Sequence, residues 1–93
     1  MYVVRWKKQA INDLIKIGRF IAKDSPANAE KMTALIEEKL RPLATYPHIG
    51  RPGHKQGTYE LVAHEHYLII YRVSATDVDV LRIKHTARQW PAK

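Results

Sequence analysis

Two strand-like apolar runs near the end of the chain constrain its fold most strongly. The first runs from Tyr67 to Val73 and the second begins at Val78, and the polar stretch Ser74 to Asp77 between them predicts a tight reversal. A third strand-like run, Gly57 to His64, precedes this pair. The last third of the chain, up to about Thr86, therefore predicts three antiparallel strands.

Two helical patterns lie upstream of these strands. The segment Tyr2 to Trp6 is rich in β-branched and aromatic residues and predicts a short first strand. From Lys7 onward, apolar residues recur at steps of three and four, which indicates an amphipathic helix. Asp24-Ser25-Pro26 predicts the start of a second helix, which should kink or end near Pro42. The order β-α-α-β-β-β predicts an α+β fold, with a helical hairpin packed against a small twisted antiparallel sheet.

Length and composition limit the function classes that remain open. The 93 residues predict one domain, residues 1–93. The absence of cysteine excludes disulfides, thiolate zinc sites and thiol nucleophiles. The five histidines lack the clustered carboxylates that would complete a metal site, so we expect no metal and no other cofactor. No apolar run is long enough for a signal peptide or a membrane span, which predicts a cytoplasmic protein with no membrane partner.

The charge balance indicates an anionic partner. The chain has 16 Lys and Arg against 9 Asp and Glu, a net charge of +7, which favours encounter with nucleic acid or an acidic protein segment. The loop Tyr46 to Gln56, rich in Pro and Gly, carries Arg51, His54 and Lys55. We therefore take these three residues as candidate binding residues.

A four-residue turn would set the register of the last two strands. Val73 would then face Val78, and counting back pairs Ile69 with Arg82 and Tyr67 with Lys84. This pairing divides the side chains between two faces of the sheet. The apolar face would pack against the helices, and the face with cations and phenols would be the open face. The residues are Leu68, Ile70, Leu81 and Ile83 for the first face, and Tyr67, Ile69, Tyr71, Val80, Arg82 and Lys84 for the second.

The open face predicted in this way has two interpretations. Tyr67, Tyr71 and Lys84 could bind a polyanion, with phosphates held by charge and bases stacked on the rings. Alternatively, these residues are simply a solvated sheet face. A register slip of one residue would exchange the partners.

His85 is the candidate general base. It lies near Lys84, Arg82 and Arg88, and neighbouring cations favour the neutral imidazole, which is the form that accepts a proton. The alternative is a surface histidine at a strand end.

Three local motifs resemble a known family. The chain contains P-x-x-G-R from Pro47 to Arg51, Y-x-x-x-Y-R-V from Tyr67 to Val73, and H-x-x-R-Q-W-P from His85 to Pro91. Together with the β-α-α-β-β-β order, these resemble the RelE/ParE superfamily of toxins from bacterial type II toxin–antitoxin modules. The pattern is most similar to the ParE branch and its plasmid-stabilisation relatives.

The resemblance implies different functions for the two branches. RelE-like members are metal-independent endoribonucleases that cut mRNA on the ribosome, and that reading would make His85 the base, with Arg82 and Arg88 holding the phosphate. ParE-like members inhibit DNA gyrase, and a cognate antitoxin neutralises both kinds. RelE-like enzymes commonly have an Arg where this chain has Tyr67. We therefore expect a ParE-like gyrase inhibitor, with a ribosome-dependent endoribonuclease as the first alternative and a non-toxic basic nucleic-acid-binding module as the second; self-association stays open.

Overall fold

Two helices cover one face of a five-stranded sheet in the computed structural model, which describes residues 1–86. The strands are β1 (Val3–Trp6), β2 (Arg51–Pro52), β3 (Thr58–His64), β4 (Tyr67–Val73) and β5 (Asp77–His85), and the helices are α1 (Lys8–Ala22) and α2 (Pro26–Leu40). The strand order in the sheet is β1-β5-β4-β3-β2. The α+β fold class and the helical hairpin are as predicted.

The sheet is mixed rather than wholly antiparallel. β1 pairs in parallel with β5, while β2, β3, β4 and β5 pair antiparallel in succession. The chain leaves β1 through the helical hairpin, and such a crossover allows a parallel pair between strands that are distant in sequence. The loop before β3 also contributes the two-residue edge strand β2, which the Pro and Gly content of the loop did not predict.

The ends of α2 follow the predicted signals. The backbone N–H of Asn28 donates to the side-chain oxygen of Ser25 at 3.2 Å, and Pro26 is the first helical residue. The α-helix ends at Leu40, and Pro42 lies in a short 3-10 helix over Arg41–Ala44. Neither helix within residues 1–86 is long and apolar enough to cross a membrane.

A β-bulge in β5 changes the predicted register. Pairing is as predicted from Val73–Val78 to Tyr71–Val80, but Leu81 is then an extra residue on β5 and Ile70 pairs with Arg82. Beyond this point every partner is shifted by one residue. The predicted pairs of Ile69 with Arg82 and of Tyr67 with Lys84 are therefore wrong; Ile69 pairs with Ile83, and Tyr67 pairs with His85.

The bulge and the packing also correct the predicted faces of the sheet. Tyr67 is only 5% exposed and Tyr71 is fully buried, so both phenols belong to the core and not to the open face. The predicted open-face residues Ile69 and Val80 are buried as well. Of the predicted core set only Ile83 is buried, because the bulge turns it toward the helices, while Leu68, Ile70 and Leu81 are half-buried. The core consists of Ala10, Ile36, Leu40, Leu43, Ala63, Tyr67, Ile69, Tyr71, Val78, Val80 and Ile83.

The hydroxyl of Tyr71 connects the core to the loop that carries the P-x-x-G-R motif. The backbone N–H of Gly50 donates to this hydroxyl at 3.0 Å, and the Tyr71 ring stacks on Tyr59 with a centroid distance of 5.6 Å. Burial raises the pKa of Tyr71 above its ordinary value, an effect that the Gly50 hydrogen bond partly opposes. A Cβ atom on Gly50 would lie 2.6 Å from the carbonyl oxygen of Glu60 and 2.7 Å from the Tyr71 hydroxyl.

Replacement of Gly50 should therefore destabilise the fold. We expect Gly50→Ala to lower the free energy of unfolding by about 1–3 kcal/mol, because the backbone oxygen of Glu60 must shift to admit the methyl group. Gly18→Ala is the matched control: the nearest atom to its Cβ is a methyl carbon of Thr33 at 3.7 Å. In the helix that substitution should stabilise by about 0.5–1 kcal/mol. Urea unfolding followed by circular dichroism measures both, and equal effects of the two variants would contradict the proposed close approach.

Candidate functional site

A groove with a cationic rim lies on the open face of the sheet, next to the start of α1. Its volume is about 560 Å³. Ile70 of β4 and Leu81 of β5 supply its aliphatic side chains. The polar residues around them are Lys7, Lys8, Gln9, His54, Lys55, Thr58, Glu60, Arg82 and Lys84.

Three parts of the chain meet at this groove because of the sheet order. The start of α1 is tied to β5 by the Lys7 backbone N–H, which donates to the Val80 carbonyl at 2.9 Å. The loop between β2 and β3 brings His54 and Lys55 from the other side. The bulge gives β5 two successive residues opposite one on β4, and both of them, Leu81 and Arg82, line the groove.

The groove has an excess of positive charge. Among the described residues that line the groove, Glu60 supplies the negative charge. Its Oε1 lies 3.0 Å from Nε of Arg51. Arg51 itself is exposed at the edge strand and does not line the groove. Because this ion pair offsets the Glu60 carboxylate, the surrounding lysines leave the groove attractive to anions.

Asp13 of α1 holds Arg82 in place. Nε of Arg82 donates to Oδ2 of Asp13 at 2.7 Å, and Nη2 donates to Oδ1 at 3.1 Å. The Asp13 hydrogen bonds raise the pKa of Arg82 above its ordinary value, against the effect of burial. The backbone N–H of Ile83 also donates to Oδ2 of Asp13, at 3.0 Å. This carboxylate thus compensates the charge of Arg82. It also accepts a hydrogen bond from the backbone of β5 at a position that β1 does not reach.

A second cavity, of about 320 Å³, lies between α1 and β5. Asp13, Lys16, Phe20, Tyr67, Arg82 and His85 line it, together with Ile17 and Ile83. The His85 ring stacks on His66 with a centroid distance of 5.6 Å and meets the Tyr67 ring edge-on at 5.1 Å. Although His64, His66 and His85 cluster around Tyr67, no group of three or more His, Asp or Glu within residues 1–86 is arranged to hold a metal ion.

The structure divides the predicted site residues among different places. His54, Lys55, Arg82 and Lys84 line the groove together, and Arg51 borders it through Glu60. Tyr67 and Tyr71 are in the core, so their predicted place on the binding face is wrong. His85 lines the second cavity with Arg82 and is not among the described residues of the groove. Arg88 lies outside the described residues.

Several groove residues were not predicted from the sequence. Lys7 and Lys8 form a basic pair between the end of the first strand and the start of the first helix. This pair could have suggested that both lysines lie on the rim of a binding site. The predicted register places Ile70 and Leu81 in the core because it lacks the bulge. Asp13 contacts Arg82 across 69 positions of sequence, and no local pattern indicates that pair.

Comparison with known proteins places the chain in a family. Residues 4–90 match the model of the ParE toxin of the type II toxin–antitoxin system parDE. The chain belongs to this toxin family. The toxin is 43% identical to the Y4kP protein, a candidate toxin of Sinorhizobium fredii, over 89 residues that cover 95% of this chain and 92% of that protein.

Two further relatives have names from different branches of the superfamily, one RelE and one ParDE. The toxin is 35% identical to toxin RelE2 of Caulobacter vibrioides over 88 residues, which cover 95% of this chain and 99% of RelE2. Its structure superposes on a chain of the chromosomal ParDE toxin–antitoxin system from P. aeruginosa with a TM-score of 0.79 and 26% identity, over 91% of this chain and 96% of that one.

The Asp13–Arg82 pair should contribute measurably to stability. We expect Asp13→Asn to lower the free energy of unfolding by about 1–3 kcal/mol, because the charge of the half-buried Arg82 would lose its carboxylate partner. Asp24→Asn, in the exposed turn between α1 and α2, should change it by less than about 0.5 kcal/mol. Urea unfolding at neutral pH measures both variants, and an Asp13→Asn protein as stable as Asp24→Asn would show that the pair contributes nothing.

Proposed function

We propose that this toxin inhibits bacterial growth by acting on DNA gyrase, as the ParE branch does, and that a cognate antitoxin neutralises it in the cytoplasm. The match of residues 4–90 to the ParE toxin family supports this proposal most directly. The groove, with His54, Lys55 and Lys84 on its rim, is the surface that we assign to contact with the target.

The state of Arg82 favours a binding function over RNA cleavage. A ribonuclease needs a cation that is available to stabilise phosphate charge in the transition state. Here Nε and Nη2 of Arg82 donate to the two carboxylate oxygens of Asp13, so the charge is compensated and a second anion would meet the Asp13 carboxylate as well. Tyr67 and Tyr71, the two phenols that the sequence predicts for base stacking, are buried in the core.

The antitoxin partner is proposed on similarity and on charge. The superposed P. aeruginosa chain comes from a toxin–antitoxin system. An acidic or amphipathic antitoxin segment would be complementary to a chain with a net charge of +7.

Gyrase supercoiling measured with the purified toxin tests the proposed target. The wild-type chain should block supercoiling, and the double variant Lys7→Ala/Lys8→Ala should need about tenfold more protein, since each exposed cation contributes up to ~1 kcal/mol to pairing with an anion. Lys23→Ala/Lys39→Ala removes the same charge away from the groove and should inhibit like the wild type. Unimpaired supercoiling at every toxin concentration would reject gyrase as the target.

A RelE-like endoribonuclease is the second candidate, because Arg82 and His85 line the same cavity. Under the gyrase proposal, His85→Ala should retain full inhibition of supercoiling, and mRNA translated in a cell-free system with the wild-type toxin should remain intact. Ribosome-dependent cleavage of that mRNA, lost in His85→Ala, would replace the gyrase proposal with the nuclease. Normal growth of cells that express the wild-type chain alone would instead support the third function, a non-toxic nucleic-acid-binding module.

A further inference from the structure

The chemistry of the groove identifies the kind of molecule that it binds. We propose that the groove takes an extended acidic protein segment that places one aliphatic side chain against Ile70 and Leu81. The inference rests on the proposed role of the groove as the contact surface of the toxin, and it names what that surface recognises.

The floor of the groove suits an apolar anchor. Ile70 and Leu81 come from neighbouring strands and are half-buried, so aliphatic surface remains accessible at the centre of a cationic ring. A volume of about 560 Å³ is within the range of clefts that enclose a few side chains. Contact with an aliphatic side chain would remove that surface from water.

The rim places cations on both sides of this floor. Lys7 and Lys8, at the start of α1, lie on the side of β5, whereas His54 and Lys55 come from the loop that precedes β3. None of the ion pairs within residues 1–86 involves Lys7, Lys8 or Lys55. An extended segment that crosses the strands would therefore meet lysines before and after its apolar anchor, and carboxylates at those positions would be complementary.

The same surface is poorly suited to single-stranded nucleic acid. Proteins that bind single strands stack the bases on aromatic rings or arginine planes. Apart from the imidazole of His54, no aromatic side chain is among the described residues that line the groove, and its arginine is held by Asp13. The lysines of the rim and the aliphatic floor together suit a peptide with carboxylates on either side of an aliphatic side chain. They suit nucleic-acid bases less well.

Direct binding to the purified full-length chain tests the inference. The probes are a fluorescein-labelled dodecamer of alternating Asp and Glu with Leu at its sixth position, the same peptide with Ser in place of that Leu, and a labelled single-stranded RNA of twelve mixed nucleotides. Fluorescence anisotropy at one fixed salt concentration gives the three dissociation constants. We expect saturable binding of the Leu peptide, binding about tenfold weaker for the Ser peptide because the buried aliphatic contact is lost, and weaker binding of RNA than of the Leu peptide.

Variants of the protein assign the binding to the groove. Lys7→Ala/Lys8→Ala should weaken binding of the Leu peptide about tenfold, and Lys23→Ala/Lys39→Ala should leave it unchanged. Leu81→Ser should abolish the preference for the Leu peptide over the Ser peptide. If circular dichroism shows that this variant does not fold, Ile70→Thr, which retains a β-branched side chain, tests the same preference.

Each outcome bears on one proposal. Equal affinity for the Leu and Ser peptides, or tighter binding of RNA than of the Leu peptide, would overturn the inference. If the peptide fails to bind while the Lys7/Lys8 variant still loses gyrase inhibition, the inference fails and the proposed function survives. If the peptide binds in the groove but the same variant inhibits gyrase like the wild type, the inference holds and the groove is not the gyrase contact.

Discussion

The carboxylate of Asp13 holds together the parts of the structure on which the candidate site depends. β1 ends at Trp6, so within residues 1–86 no strand lies beside the half of β5 beyond Val80 on that edge. Asp13 replaces the missing strand there, because it accepts the backbone N–H of Ile83 as well as two bonds from Arg82. Helix α1 is thereby fixed to β5 beside the bulge, and the bulge is what brings Leu81 into the groove.

Two contacts between loop and sheet fix the other side of the groove. The buried hydroxyl of Tyr71 accepts the backbone N–H of Gly50, and Arg51 then reaches Glu60 on β3. The loop that follows leads to His54 and Lys55, which line the groove. The P-x-x-G-R motif is therefore structural in this chain: the glycine admits a close approach of backbone and phenol, and the arginine offsets the Glu60 carboxylate.

The sequence predicts the parts of the fold that depend on local chemistry. Ser25 and Pro26 start α2, and Ser74 closes the turn before β5 through its hydrogen bonds with Asp77. The bulge at Leu81 was not predicted, although the apolar alternation changes phase there, from Val78 and Val80 to Leu81 and Ile83. A regular strand with one apolar residue on its other face gives the same break, and only the bulge exchanges the two faces of everything beyond it. Pairs distant in sequence, such as Asp13 with Arg82 or β1 with β5, are likewise absent from any local pattern.

The ion pairs at the groove determine which charges act on a partner. Asp13 compensates Arg82, and Arg51 compensates Glu60, so lysines supply much of the remaining field. A lysine ammonium is a compact, strongly hydrated point charge, whereas the planar guanidinium of arginine binds phosphate through two parallel hydrogen bonds and stacks on bases. A groove in which Arg82 is paired within the protein and lysines surround aliphatic side chains therefore has the chemistry of a protein contact. The geometry and charge of the groove therefore support the proposal of a protein target over that of RNA cleavage.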